Sequence, residues 1–297
     1  MKDKNFGLLG LLLVAIIWGS GFVASDLLLL SLSPLALLAC RFTIAAIVLI
    51  IINFRKLMFL NKENAIAGTI LGVILYISFS FQTFGLKYSS PSHNAFLTSV
   101  NVIIVPFIVW GITKIRVDIY GFLGAFLSIT GIGILSLTHN FTLSYGDILN
   151  LTCAFGFAFH VFFSGKFAKK YDTVTFVTIQ MIVAALLSIL FLIISGDTSI
   201  KLLDSKSIIG VLYIGIIVTA FAFFLQSKCQ EKLGDTTSAI IMSMESVFGA
   251  IFSVLIINEN YTPRMLVGCI FILSGVIFSQ TKPFSLSKKG IKIQTEF

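Results

Sequence analysis

The residues that could do chemistry are few, and most lie inside long apolar runs. Glu245 stands about ten residues into the run 235–257, roughly 15 Å deep at ~1.5 Å of rise per residue. An ionisable side chain at that depth costs ~2.5–3.5 kcal/mol on insertion scales and tends to mark a pathway or a proton site. Its type and place suit a proton-coupling or cation-binding carboxylate; the competing role is a hydrogen bond between helices. Arg41 lies about seven residues into the run 34–54. Its long stem allows snorkelling toward the surface, pairing with a carboxylate or anchoring an anion; a structural or gating role is the expectation. His160, two-thirds through 146–167, suits a proton relay or a neutral inter-helix hydrogen bond. Asn101, Gln82, Gln180 and Gln226 are intramembrane amides that either hold helices together or wall a hydrated cavity. Pro106 removes a backbone hydrogen bond within 91–112 and predicts a kink there, and with it a hinge.

These side chains need a frame built in lipid. The chain is 57% hydrophobic and 11% charged, too few charges to cover a water-soluble surface; an ordinary soluble domain is nearer ~25% charged. A helix needs ~20 apolar residues to cross ~30 Å of hydrocarbon. Ten runs qualify: 6–28, 34–54, 64–86, 91–112, 119–138, 146–167, 174–195, 207–229, 235–257 and 263–281. They are continuous, whereas barrel strands would alternate. The run from 6 to 30 exceeds a signal-peptide core of ~7–15 residues and reads as the first span. Short connections make successive helices antiparallel neighbours.

Charge sets the orientation. With the N-terminus inside, only Lys87, Lys201, Lys206 and Arg264 of the 21 basic residues fall in outer loops, and Arg41 is in a span. The remaining sixteen lie inside, a strong bias by the positive-inside rule. The expected location is the cell membrane, multi-pass, with both termini cytoplasmic. The net charge of +8 sits in short loops and therefore predicts topology, with no nucleic-acid partner. Cys40, Cys153, Cys229 and Cys269 lie in apolar runs without CxxC spacing and read as buried small hydrophobes.

The halves resemble each other. Ser33-Pro34 with Arg41 matches Asp172-Thr173 with Gln180 at an offset of ~139. An offset of ~144 pairs Gly124 and Gly131 with Gly268 and Gly275, Phe79 with Phe223, Gln82 with Gln226, Ala95 with Ala239, and Asn101 with Glu245. Five spans per copy is odd, so the second copy would enter from the opposite side. Such inverted repeats underlie many secondary transporters, with the site near the midplane. The expected fold is an all-α integral membrane protein of ten transmembrane helices in a 5+5 inverted-topology repeat. Residues 1–140 would form the first repeat, 141–281 the second, and 282–297 a basic cytoplasmic tail.

Trp18-Gly19-Ser20-Gly21-Phe22 in span one, Ser33-Pro34 and Arg41-Phe42 in span two, Glu245-Ser246-Val247 in span nine, Asn258-Glu259 just after it, and Gly268 with Gly275 in span ten carry a resemblance. The chain resembles the drug/metabolite transporter superfamily and, within it, the EamA-like ten-helix exporters. Two positions depart from that pattern. Ser246 stands where a proline often follows the glutamate, and Lys114-Ile115 stand where the first half often has a glutamate. The resemblance implies a central cavity, alternating access, export of metabolites, amino acids or drugs, and no enzyme activity. In that family spans one, three, six and eight line the cavity. The resemblance therefore makes Trp18, Tyr76, Phe79, Phe159, Phe163, Tyr213 and Phe223 cavity candidates, with plain helix packing as the competing role, and the polar side chains of Asn101, His160 and Gln226 join them.

Walker, HExxH and GxSxG patterns are absent, so neither a P-loop ATP site nor a cofactor is expected. The expected function is a secondary transporter, an exporter of small molecules, driven by the proton gradient to which Glu245 points or by substrate gradients alone. Its partners are a small-molecule substrate and the lipid bilayer; the sequence sets no oligomeric state. A membrane-embedded enzyme acting on a lipid-linked substrate, and a channel or sensor, remain the alternatives.

Overall fold

The computed structural model describes residues 2–114, 118–136, 144–260 and 262–281. Arg116 of the basic set, the 137–143 junction between the two expected repeats, and the 282–297 tail lie outside the described residues. Apolar runs fold into helices because only a helix or a closed barrel satisfies its own backbone polar groups in hydrocarbon. Ten helical spans follow. They are α1 (Lys2–Leu28), α2 (Pro34–Leu57), α3 (Lys62–Leu86), α4 (Pro91–Thr98 and Asn101–Thr113) and α5 (Ile119–Ser136), then α6 (Tyr145–Ala168), α7 (Thr173–Ser195), α8 (Ser205–Gln230), α9 (Asp235–Met242 and Met244–Ile257) and α10 (Pro263–Thr281). A short 3₁₀ turn, Ser199–Leu202, precedes α8. Eight of the helices are long and apolar enough to cross a bilayer, and α5 and α10 contribute the shorter apolar stretches Ile119–Ile134 and Pro263–Phe278. The chain is a ten-helix membrane protein.

The helix starts follow local chemistry. Ser33 caps α2, its hydroxyl accepting from the Ala36 amide at 3.1 Å, and Pro34 takes the first turn, where its missing N–H costs nothing. Asp172, the position matched to Ser33 in the sequence, caps α7 in the same way by accepting from Thr175 N at 3.0 Å. Asp172 also accepts from Lys56 Nζ at the end of α2, at 2.7 Å. Partial burial pushes this carboxyl up, but the hydrogen bonds from Lys56 and Thr175 and the Lys56 charge outweigh it and leave it below its ordinary value of 3.8. A lowered acid stabilises the fold above its unfolded value and loses that contribution as pH falls through its folded value. Asp172→Asn keeps the cap and removes the charge. It is expected to cost at most about 1 kcal/mol at neutral pH, because both partners are substantially exposed. The gap in melting temperature between wild type and variant should close as pH drops below 3.8; a gap that is constant with pH would mean the charge contributes nothing.

Three helices are interrupted, and the interruptions matter to the site. The chain tightens between Thr98 and Asn101, where Val100, Val102 and Ile103 bond three residues back at 3.1–3.2 Å. Pro106 lies within the continuous segment Asn101–Thr113, so the expected break at the proline moves more than one turn toward the start of α4. The proline removes the bond to the Val102 carbonyl, just after the break, and so permits the interruption without marking it. The equivalent break in α9, at Ser243, has no proline. There the Ser243 hydroxyl bonds the Ile240 carbonyl at 2.7 Å, and the Ser246 hydroxyl bonds the Ser243 carbonyl at 2.6 Å. Serine hydroxyls competing for backbone carbonyls are a sufficient cause. The third interruption is a π-helical stretch, Ile214–Phe221, inside α8.

Packing pairs the helices across the two halves. α5 lies against α10, α2 against α7, α3 against α6 and α7, and α1 against α8 and α9. Glycines set the closest approach between α5 and α10. A Cβ on Gly131 would sit 2.5 Å from the Gly268 carbonyl oxygen, and one on Gly275 would sit 2.6 Å from that of Gly124. On the face where α4 begins, Glu259 after α9 accepts from Ser90 at 2.7 Å and also from Ser92. Beside it, His93 Nε2 lies 2.8 Å from Asp147 Oδ1 at the start of α6.

Candidate functional site

A cavity opens where α1, α2, α3, α4, α6, α8 and α9 converge. Its free volume is ≈ 50 Å³, enough for a few waters at roughly 10–15 Å³ each and too small for a metabolite. The two serine-marked breaks meet at its wall. Glu245, one residue into the second segment of α9, is buried and accepts from Ser99 Oγ at 3.3 Å across the break in α4. Asn101 borders the same space from the start of the second segment of α4. Arg41 enters from α2, 4% exposed. Its Nε donates to Thr219 Oγ1 at 3.2 Å, and its guanidinium carbon stands 4.1 Å from the centre of the Phe79 ring. The Arg41 guanidinium and the Glu245 carboxyl thus face one cavity, and among the described residues neither has an ion-pair partner.

Aromatic rings form a connected wall. Phe79 meets Phe157 edge-on at 5.1 Å and Phe223 at 5.9 Å, and Phe223 meets Trp18 at 5.1 Å. Such pairs add ~0.5–1.5 kcal/mol beyond burial, enough to hold the wall in one arrangement. The Trp18 indole donates to the Val218 carbonyl at 3.1 Å, inside the π-helical stretch. His160 is fully interior, its Nε2 3.2 Å from Gln180 Oε1 and its ring edge-on to Phe223 at 5.5 Å. That geometry ties α6 to α7 and still leaves the ring at the cavity. Gln226 donates to Gln230 Oε1 at 3.1 Å, while its own carbonyl oxygen is buried without a partner among the described residues.

The geometry sorts the sequence candidates. Trp18, Phe79, Asn101, His160, Phe223, Gln226, Glu245 and Arg41 all border the cavity. Tyr76, Phe159, Phe163 and Tyr213 do not, and that part of the expectation is corrected. Phe159 is 41% exposed, because a neighbour of His160 points ~100° away on a helix. Tyr213 is half exposed and bonds Ser20 Oγ at 2.6 Å. Tyr76 stacks on Phe191 at 5.5 Å, and Phe163 packs with Phe162 and Phe167. Pro106 likewise stands apart from the cavity. Phe22, Thr98 and Phe157 line it and were missed. Spacing would have found them: they lie three or four residues from Trp18, Asn101 and His160, on the same helix faces. Among the described residues no group of three or more His, Cys, Asp or Glu side chains could hold a metal ion.

The sequence profile of the EamA-like transporter family matches residues 5–137 and 144–281, nearly the whole of the described chain. This chain belongs to the EamA-like transporter family. An uncharacterized transporter of Archaeoglobus fulgidus is 31% identical over 269 residues, covering 91% of this chain and 84% of that one. The uncharacterized transporter YoaV of Bacillus subtilis is 21% identical over 288 residues, covering 95% and 98%. A crystal structure with 17% sequence identity superposes with a TM-score of 0.77 over 98% of this chain, which shows a shared fold. The chain is therefore a multi-pass membrane transporter, and the cavity is the place to look for its cargo.

Proposed function

We propose that this transporter is a secondary exporter that moves small metabolites, amino acids or drug-like molecules by alternating access, with Glu245 as the proton-coupling carboxylate. The observation that carries the reading is a symmetry of contacts around the cavity. Exchanging the halves, α1 with α6, α2 with α7 and so on to α5 with α10, maps the most closely packed helix pairs onto observed pairs. The α3–α6 pair becomes α8–α1, α3–α7 becomes α8–α2, and α1–α9 becomes α6–α4. The matched rings Phe79 and Phe223 touch each other, and the matched glycines contact reciprocally, Gly131 with Gly268 and Gly275 with Gly124. This supports two inverted repeats, 1–140 and 141–281, related by a pseudo-twofold axis through the cavity. Two such halves have two near-equal arrangements, one open to each side. The small free volume fits a state between them. On this reading the protein lies in the cell membrane with both termini in the cytoplasm, uses no ATP and catalyses no chemical conversion.

Counterflow in proteoliposomes tests it. A ligand found by thermal-shift screening of amino acids, nucleosides, polyamines and cationic drugs is loaded unlabelled inside, and trace label is added outside. A carrier accumulates label transiently above equilibrium. A channel equilibrates without overshoot, and an enzyme returns altered label; either result would overturn the proposal.

A further inference from the structure

We propose that the cavity, once widened from this closed state by opening to one side, takes a small organic carboxylate with an apolar body, and that Arg41 is the residue that binds its carboxylate; this rests on the cavity being the transport site. The argument begins with what already satisfies Arg41. The face of the guanidinium lies against Phe79 at 4.1 Å, and Nε is spent on Thr219. Stacking satisfies the face of the group and does nothing for its edge. The two terminal amino groups donate to no protein acceptor among the described residues, and no Asp or Glu oxygen there lies within 4.0 Å. Arginine does not give up its proton in proteins. A cation 4% exposed thus presents an unused fork of donors to an enclosed space. That fork matches a carboxylate with two parallel N–H···O bonds, which a lysine cannot reproduce. The few waters that fit ≈ 50 Å³ solvate it at rest, and a carboxylate displacing them gains a counter-charge in a low-dielectric setting.

The rest of the wall fixes the other end of the ligand. Trp18, Phe22, Phe157 and Phe223 offer apolar and aromatic surface beside the arginine. Glu245 and the unpartnered Gln226 carbonyl oxygen, also in the lining, are acceptors. Arg41 is the only lysine or arginine among the lining residues, so the strongest attraction for an anionic group is at its fork.

Isosteric probes isolate that contact: 3-phenylpropanoate, its methyl ester and 3-phenylpropylamine, titrated calorimetrically into the whole protein in lipid nanodiscs. The acid is expected to bind the wild type at least tenfold more tightly than the ester or the amine. Arg41→Gln should weaken the acid by roughly 10–100-fold, the range for a lost charged hydrogen bond, and leave the ester unchanged. Arg41→Lys should recover part of the loss. Equal binding of ester and acid to the wild type, preference for the amine, no saturable binding of the acid, or full binding of the acid to folded Arg41→Gln would each overturn the assignment. If Arg41→Gln fails to fold, the wild-type comparison of acid with ester decides alone. Binding is read without transport, so an acid that binds but gives no counterflow removes the transport mechanism and leaves the anion site standing.

Discussion

Glu245→Gln is expected to abolish proton-driven accumulation in proteoliposomes while leaving the protein folded. The substitution preserves size and still accepts a hydrogen bond from Ser99, so the junction between the breaks of α4 and α9 should survive. What it removes is the ability to gain and lose a proton. The carboxyl is buried at the cavity wall, and on the proposed mechanism it exchanges protons with whichever side the cavity faces. The rate of uptake driven by a pH gradient should fall at least tenfold, about 1.4 kcal/mol on the limiting barrier, and lose its pH dependence. The melting temperature in detergent should stay within about 2 °C of wild type, because few contacts change. A variant that still concentrates cargo against its gradient when a pH gradient is imposed would exclude Glu245 as the coupling group. A variant that no longer melts cooperatively would instead assign Glu245 to the α4–α9 junction.

The second large effect concerns stability. Gly131→Ala and Gly275→Ala should each cost about 1–3 kcal/mol, the usual penalty for overpacking. At both positions the new methyl group would meet a backbone carbonyl oxygen of the facing helix, at 2.5 and 2.6 Å. A backbone oxygen cannot rotate aside as a side chain can, so α5 and α10 must separate. In lipid the hydrophobic effect does not push them back together; close backbone approach is itself the source of attraction. Gly133→Ala is the control on the same helix, because a Cβ there meets nothing within 4 Å. It should be neutral or stabilise by up to ~1 kcal/mol through helix propensity. Equilibrium unfolding in mixed micelles reads all three. The double variant should cost less than the sum, because both sites open one interface. Equal stability of Gly131→Ala and Gly133→Ala would show that the glycine contacts do not hold the helices.

The two predictions draw on different kinds of information. The Gly124, Gly131, Gly268 and Gly275 positions could be paired in the sequence by spacing alone, and the structure places those residues against one another. Glu245 could be singled out by depth alone, because a carboxyl ten residues into an apolar run has little to do with water. Its neighbour Ser99 could not be. Finding it requires the break in α4, which lies at 98–101, where the backbone bonds three residues back, and not at the proline that propensity points to.

Hydropathy by itself determined the ten spans within a few residues at most ends, since the bilayer imposes one length and one periodicity on anything that crosses it. Helix starts were legible for the same local reason: Ser33-Pro34 and Asp172-Thr173 carry their caps in the sequence. Which aromatic faces the cavity was decided only by the tertiary structure. Thirty phenylalanines are nearly interchangeable in composition, and lipid accepts a phenyl ring as readily as a protein core does. Burial preference therefore cannot distinguish Phe157, at the cavity, from Phe159, toward lipid. Their orientation is set by helix rotation, and that rotation is fixed by the close approaches of glycines and serines on neighbouring helices. The same holds for Arg41. The sequence places a cation in the membrane, but the packing of α2 against α8 and the ring of Phe79 decide that the edge of its guanidinium is left for something else to bind.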